Sequence, residues 1–372
     1  MSAATRHGSA PAAAADGQII QRLSTLDRFL PLWIGLAMAA GLGLGRVLPG
    51  LNTALDAVRI GQTSLPIAIG LLVMMYPVLA KVRYGRLGAV TADRRLLISS
   101  LVLNWAVGPA IMFALAWLLL PDQPAYRTGL ILIGLARCIA MVLIWNDLAC
   151  GDREAAAVLV ALNSIFQVVA YAALGWFYLH LLPGWLGLPQ ADLRVSPWTI
   201  AQIVAIFLGI PLVAGALSRI LGTRLKGVAW YEGSFLPRVG PFALYGLLFT
   251  VVVLFALQGD AITSDPLAVV RIAAPLVGYF AIMWGASFLL GRRIGLPYPR
   301  TATLAFTAAG NNFELAIAVA IGVFGVTSGE ALAGVVGPLI EVPVLVGLVY
   351  VSLWGRRRLY PGAGLLHPSS AR

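Results

Sequence analysis

Charge is scarce in this chain. Lys, Arg, Asp and Glu make up 11% of its 372 residues, whereas a soluble domain carries roughly 25%. So few polar groups could not clothe a water-facing globule of this length. With 60% of residues hydrophobic and a mean hydropathy of +0.88, the composition points to a bilayer. Cysteine is scarcer still. The two present, Cys138 and Cys150, both lie in apolar surroundings, which excludes a disulfide framework and a C-x2-C metal module. Walker, H-E-x-x-H and G-x-S-x-G motifs are missing, so an ATP-driven role would need a separate subunit. No cofactor is implied and nothing marks an enzyme. The first 17 residues, rich in Ala, Ser and Gly, have no apolar core; they predict a disordered tail and no cleavable signal peptide.

What the chain has instead is a series of apolar runs, each near the ~20 residues a spanning helix needs. About ten are found, at 29–49, 63–80, 97–120, 125–150, 154–182, 197–221, 240–257, 267–290, 301–326 and 330–354. Short connections leave no room for a soluble catalytic domain. Residues 1–26 are expected to form a disordered tail, 27–355 a ten-helix transporter domain, and 356–372 a basic tail. Of the 26 basic residues, 20 fall on one side of this layout and five on the other, with Arg137 inside a span. That asymmetry predicts both termini in the cytoplasm. It also accounts for the net charge of +11 and a pI near 10.2 as topology determinants, with no nucleic acid partner. Ten spans divide into two fives, and five is odd. The second set (196–355) would enter the membrane inverted relative to the first (27–183), an arrangement common in secondary transporters. A Gly41-x-Gly43-x-Gly45 run follows no strand, and reads as close helix packing rather than nucleotide binding.

Ionisable groups within spans cost about 2.5–3.5 kcal/mol each on insertion scales and call for a reason. The fourth and ninth runs, corresponding members of the two halves, hold most of them. The fourth carries Arg137 and Cys138 near its middle, with Asn146 and Asp147 toward its cytoplasmic end. The ninth carries Gly310, Asn311, Asn312 and Glu314. Gly-Asn-Asn is a poor helix former, and unwound backbone at mid-membrane is tolerated only where protein covers it or it lines a cavity. A break beside a carboxylate suits a site for a cation, a proton or a polar solute. The fourth run shows less of a break, with Gly134 its only weak point. Glu341, just before Pro343 in the tenth run, is a second intramembrane carboxylate. Arg137 reads either as a cation acting on the neighbouring thiol or as a counter-charge holding helices together. Asn104, Asn163 and Gln167 read as interhelical hydrogen bonds rather than ligands, and Cys150 as apolar filler.

The stretches "GLARCIAMVLIWNDLACGDREAA" and "TAAGNNFELAIAVAIGVFGVTSGEALAGVVGPLIEVPVLVGLVYV" closely resemble signature segments of the arsenical-resistance-3 family of arsenite permeases, in the bile acid, arsenite and riboflavin transporter superfamily. The resemblance extends from about residue 27 to 354. It implies an all-α membrane protein of ten helices in two inverted five-helix repeats, with the fourth and ninth helices discontinuous and crossing at the substrate site. It further implies plasma-membrane efflux of trivalent arsenic, sometimes antimonite, driven by protons. The family's required cysteine falls on Cys138 and its required glutamate on Glu314.

Arsenite at neutral pH is mostly an uncharged hydroxide with a thiophilic centre, and sulfur is the ligand that suits it. The expected substrate contacts are Cys138, Glu314, Asn311 and Asn312, with Glu314 and Glu341 as proton carriers and Arg137, Asn146 and Asp147 as electrostatic support. The alternative is a sodium-coupled uptake carrier for an organic anion, with sodium held by backbone carbonyls of the same Asn-Asn-x-Glu region. A separate ATPase as partner belongs to some systems and is not required. No resident metal is expected.

Overall fold

Lipid offers no hydrogen bonds to a backbone, so a spanning segment satisfies its own N–H and C=O groups by coiling into a helix. The computed structural model describes residues 29–48, 50, 59–60, 63–82, 93–189, 196–264 and 266–360. The 1–26 tail and Arg6, Arg22, Arg28, Arg83, Arg86, Arg194 and Arg372 lie outside the described residues. Apart from a two-residue antiparallel ladder, Arg59–Ile60 with Thr63–Ser64, the regular elements are helical. In chain order they are α1 Leu30–Val47, α2 Leu65–Ala80, α3 Arg94–Leu119, α4 Pro124–Leu135, α5 Met141–Leu148, α6 Arg153–Trp185, α7 (197–226), α8 (228–239), α9 Pro241–Ser264, α10 Pro266–Arg293, α11 Tyr298–Ala309, α12 Phe313–Phe324 and α13 Gly329–Leu359. Among the described residues, five continuous helical stretches could by length and composition cross a membrane. One of these, Pro197–Gly259, folds back on itself at Gly227 (φ 84°, ψ 160°), a backbone conformation only glycine adopts freely. The chain is an integral membrane protein.

The helices begin where the sequence offers caps. Asp93, Asp152, Ser196, Asn312 and Ser328 each accept a hydrogen bond from a first-turn N–H of the helix that follows. Four wide, π-type turns interrupt them, at Leu103–Val107, Phe177–Leu181, Ala205–Gly209 and Tyr231–Phe235. Each is followed two residues later by a proline: Pro109, Pro183, Pro211 and Pro237. A proline has no N–H to complete the regular ladder and its ring crowds the preceding turn. The widened turn accommodates both effects.

Two packing groups result. In one, α9 lies along α1 and α2, and α7 packs on α2. In the other, α3, α4, α10, α11, α12 and α13 pack on one another, and α6 joins the groups through α7. The contact of α1 with α9 is the most extensive. There a Cβ at Gly41 or Gly45 would collide with the backbone of Val252 or Ala256, so the glycine run serves close packing; Gly43 faces open space. Gly45→Leu is expected to lower stability by about 1–3 kcal/mol, the usual cost of forcing bulk into a filled interface. Thermal unfolding of the purified protein tests this, and an unchanged midpoint would refute it.

The carboxy-terminal helix runs further than expected. Arg356, Arg357 and Arg358 belong to the last turn of α13, not to a separate tail, because cations favour the negative end of a helix dipole and continue it.

Candidate functional site

A helix that stops inside a protein leaves its last carbonyls without partners. Two helices do so here. In the fourth run, α4 ends at Leu135 and α5 starts at Met141, with Ala136 extended (φ −88°, ψ 123°). In the ninth, α11 ends at Ala309 and α12 starts at Phe313, with Gly310 extended (φ −70°, ψ 142°). The unwound stretches pair antiparallel through Arg137 and Asn311. Cys138 N–H donates to the Gly310 carbonyl and Asn312 N–H to that of Ala136, both at 3.2 Å.

Side chains satisfy several of the others. Asn311 Nδ2 donates to the carbonyls of Ile133 (2.8 Å) and Ala136 (3.1 Å). The buried guanidinium of Arg137 donates to the carbonyls of Gly134 and Ala308 and to the Tyr279 hydroxyl (2.7 Å). One cation thus sits at the negative ends of two helix dipoles, those of α4 and α11. The Tyr171 hydroxyl donates to Leu132 O at 2.8 Å. Gln167, on α6, accepts from the Arg137 N–H (2.9 Å) and donates to the Arg137 carbonyl (3.0 Å). Across the crossing, Glu341 Oε1 on α13 accepts from the Asn311 N–H at 3.3 Å. Asn311 and Glu341 lie the same 174 positions after Arg137 and Gln167 respectively. The same offset carries α4, Pro124–Leu135, onto α11, Tyr298–Ala309.

Cys138 stands in the middle of this frame. It is buried, and its Sγ accepts the Val142 N–H at 3.3 Å in the first turn of α5. Gly310, in the break between α11 and α12, lies against it: a Cβ there would come within 2.9 Å of the Cys138 Cβ. Glu314, half-buried, is the second residue of α12, at the positive end of that helix. It forms no ion pair with a described residue. Glu341 is fully buried. Both carboxyl groups lie within electrostatic reach of the Cys138 sulfur and of one another. Among the described residues Asn311 Oδ1, Asn312 Nδ2 and Glu341 Oε2 are buried without hydrogen-bond partners. A thiol within electrostatic reach of two carboxyl groups has the chemistry to meet a small solute bearing hydroxyl groups.

The crossing therefore brings Arg137, Cys138, Asn311, Asn312, Glu314 and Glu341 together. Asn146 and Asp147 lie elsewhere, at the far end of α5. There Asn146 Oδ1 accepts from the Thr303 hydroxyl (2.7 Å), and Asp147 pairs with exposed Arg153 (2.9 Å). Cys150 is at that same end, with a positive φ of 56°. Asn163 and Gln167 do bridge helices, Asn163 by accepting from Trp105 Nε1 at 3.2 Å. Asn104 differs from expectation, since it donates within its own helix to Ser100 O at 2.8 Å. Tyr279 was not signalled by any motif, because a tyrosine in an apolar run has no distinguishing neighbours.

Discontinuous helices crossing inside an integral membrane protein, with polar side chains gathered at the crossing, are the construction of a membrane transporter. Comparison with known proteins agrees. Residues 68–265 match the Sodium Bile acid symporter family. The chain is 61% identical over 351 residues to the arsenical-resistance protein Acr3 of Corynebacterium glutamicum, covering 94% of this chain and 95% of that one. It is 33% identical over 336 residues to the Acr3 of Alkaliphilus metalliredigens (88% and 92%). It is also 37% identical over 349 residues to an uncharacterized transporter of Synechocystis (88% of each). The chain belongs to the Sodium Bile acid symporter family and, within it, to the arsenical-resistance Acr3 permeases. Members of this family are transporters, not enzymes.

Proposed function

We propose that the protein exports arsenite across the plasma membrane in exchange for protons, with antimonite as a second substrate. The observation that carries this is the placement of Cys138 against Gly310, between two carboxyl groups contributed by the opposite half. Substrate as the neutral hydroxide enters from the cytoplasm and the Cys138 sulfur bonds to arsenic. The thiol proton and one arsenic-bound hydroxyl leave together as water, so an S–As bond replaces an As–O bond. The remaining hydroxyls are held by Asn311, Asn312 and Glu314. Outward release reverses the exchange, water returning its proton to sulfur and its hydroxide to arsenic. Glu314 then takes a proton from outside and gives it up inside as the next substrate binds. Glu341 serves as a second proton carrier behind Asn311. Arg137 lends electrostatic support by holding the two half-helices, and Asn146 and Asp147 do so at the cytoplasmic end of α5.

The architecture in this proposal is ten spans: α1, α2, α3, α4 with α5, α6, α7, α9, α10, α11 with α12, and α13. The constant 174-residue offset supports two repeats, and an odd number of spans in each inverts the second. Both termini then face the cytoplasm, on the arginine-rich side.

Arsenite flux by the purified chain in proteoliposomes, without ATP and with or without an imposed pH gradient, tests the whole reading. Flux indifferent to the gradient would overturn proton coupling. In Glu314→Gln, arsenite-induced proton movement is expected to vanish. Movement that persisted would exclude Glu314 as the carrier and make Glu341→Gln the next variant. The family model's sodium symporters motivate the second reading, sodium-coupled uptake of an organic anion. Sodium-dependent uptake in the same vesicles would favour it.

A further inference from the structure

A groove of about 520 Å³ opens between the start of α3 and the end of α10, away from the crossing, lined by Arg94, Arg95, Ile98, Ser99, Arg293 and Ile294. Three cations converge there. The nearest carboxylate, Asp93, is committed: one oxygen accepts the Leu96 N–H at 3.2 Å and the other pairs with Arg300 at 2.6 Å. Arg95 spends one donor on the Ile294 carbonyl at 3.2 Å, while Arg94 and Arg293 make no hydrogen bond or ion pair with described residues. Below the arginines the surface turns apolar along two stripes. On α3, Arg94 is followed at helical spacing by exposed Ile98 and Val102. On α10, exposed Leu289 lies one turn before Arg293. A cationic pocket that continues into paired apolar stripes matches an amphiphile with an anionic head.

We propose that this groove binds an anionic phospholipid, its phosphate held by Arg94, Arg95 and Arg293 and an acyl chain lying along Ile98, Val102 and Leu289. Basic pockets between spanning helices are a recognised mode of headgroup binding. The proposal is independent of the transport mechanism, because neither helix face belongs to the crossing.

The test is thermal unfolding of the purified full chain in detergent, titrated with phosphatidylglycerol, phosphatidylethanolamine or inorganic phosphate. Phosphatidylglycerol is expected to raise the midpoint with concentration, and the other two to leave it unchanged. Arg94→Gln with Arg293→Gln should weaken the phosphatidylglycerol effect about 25-fold in concentration, roughly five-fold for each cation. These two positions make no internal bonds, so the variant is expected to fold. The Lys pair at the same positions should stay within a few-fold of wild type. Removing the exposed Arg224 and Arg238 instead should have little effect. Protection by phosphatidylethanolamine equal to that by phosphatidylglycerol would overturn the proposal. So would protection by inorganic phosphate at the same concentrations, which would mark a free-anion site. An unchanged response in the Gln pair, or an equal loss in the Arg224 and Arg238 control, would overturn it too.

Discussion

Replacing Cys138 by serine is expected to bring arsenite efflux from everted vesicles down to background while leaving the protein folded. The structural duties of this side chain are ones serine can perform. Its sulfur accepts the Val142 N–H, and a hydroxyl at the start of a helix accepts such a bond at least as well. Its Cβ must fit against Gly310, and serine has the same Cβ. What serine cannot offer is a soft donor: arsenic prefers sulfur to oxygen, so the exchange that forms S–As loses its driving force. The expected result is therefore a split, with a thermal midpoint near that of wild type and no transport. Cys150→Ser, at the opposite end of α5, should retain transport. Wild-type efflux by Cys138→Ser would refute the role of the thiol. A collapsed midpoint would instead reassign Cys138 to packing.

The helical, apolar character and the ninth-run break were legible because their signals are local. Apolar length marks each helix, and Gly310-Asn311-Asn312 combines a poor helix former with two residues that prefer caps. Asn312 indeed caps α12, accepting the Leu315 N–H at 3.1 Å. The fourth-run break was nearly invisible. Residues 136–140 read Ala-Arg-Cys-Ile-Ala, and nothing in that composition stops a helix. The stop is imposed from outside, by the pairing of Arg137 with Asn311 and by Gln167 clamping both backbone groups of Arg137. A contact between residues 174 positions apart has no local trace. The same reason hid Tyr279, and it made Asn146 and Asp147 look closer to the site than they are. They share a helix with the break, but they face the corner into α6.

Gln167 and Glu341, 174 positions apart, meet similar backbone geometry with different side chains. Each reaches the backbone of the unwound stretch that precedes it, from the second helix after that break. Gln167 both accepts and donates there, whereas Glu341 accepts from Asn311 and leaves Oε2 without a partner among the described residues. An amide can only clamp. A carboxyl group in such a place gains a donor by taking up a proton, so Glu341 carries a chemical variable that Gln167 lacks.

Arg137 gives the second large effect, and here the expectation is loss of the fold rather than of the chemistry alone. Its guanidinium reaches the carbonyls of Gly134 and Ala308 and the Tyr279 hydroxyl, tying α4, α11 and α10 to one planar fork. Hydrogen bonds from a charged donor contribute about 1.5–3 kcal/mol each. The desolvation of the buried cation offsets part of that sum, so Arg137→Met is expected to lose about 2–4 kcal/mol. Lysine keeps the charge but cannot span three acceptors from one ammonium, and should recover only part of the loss. Tyr279→Phe removes a single acceptor and should cost about 1.5 kcal/mol, the low end for a bond from a charged donor. Thermal unfolding of the four proteins in one detergent orders them wild type, Tyr279→Phe, Arg137→Lys, Arg137→Met. If Arg137 acted chiefly on the thiol, the midpoints would coincide and the pH profile of Cys138 alkylation would shift instead. Since the guanidinium donates to carbonyls and a phenol while the sulfur takes its bond from Val142, stability is the property expected to move.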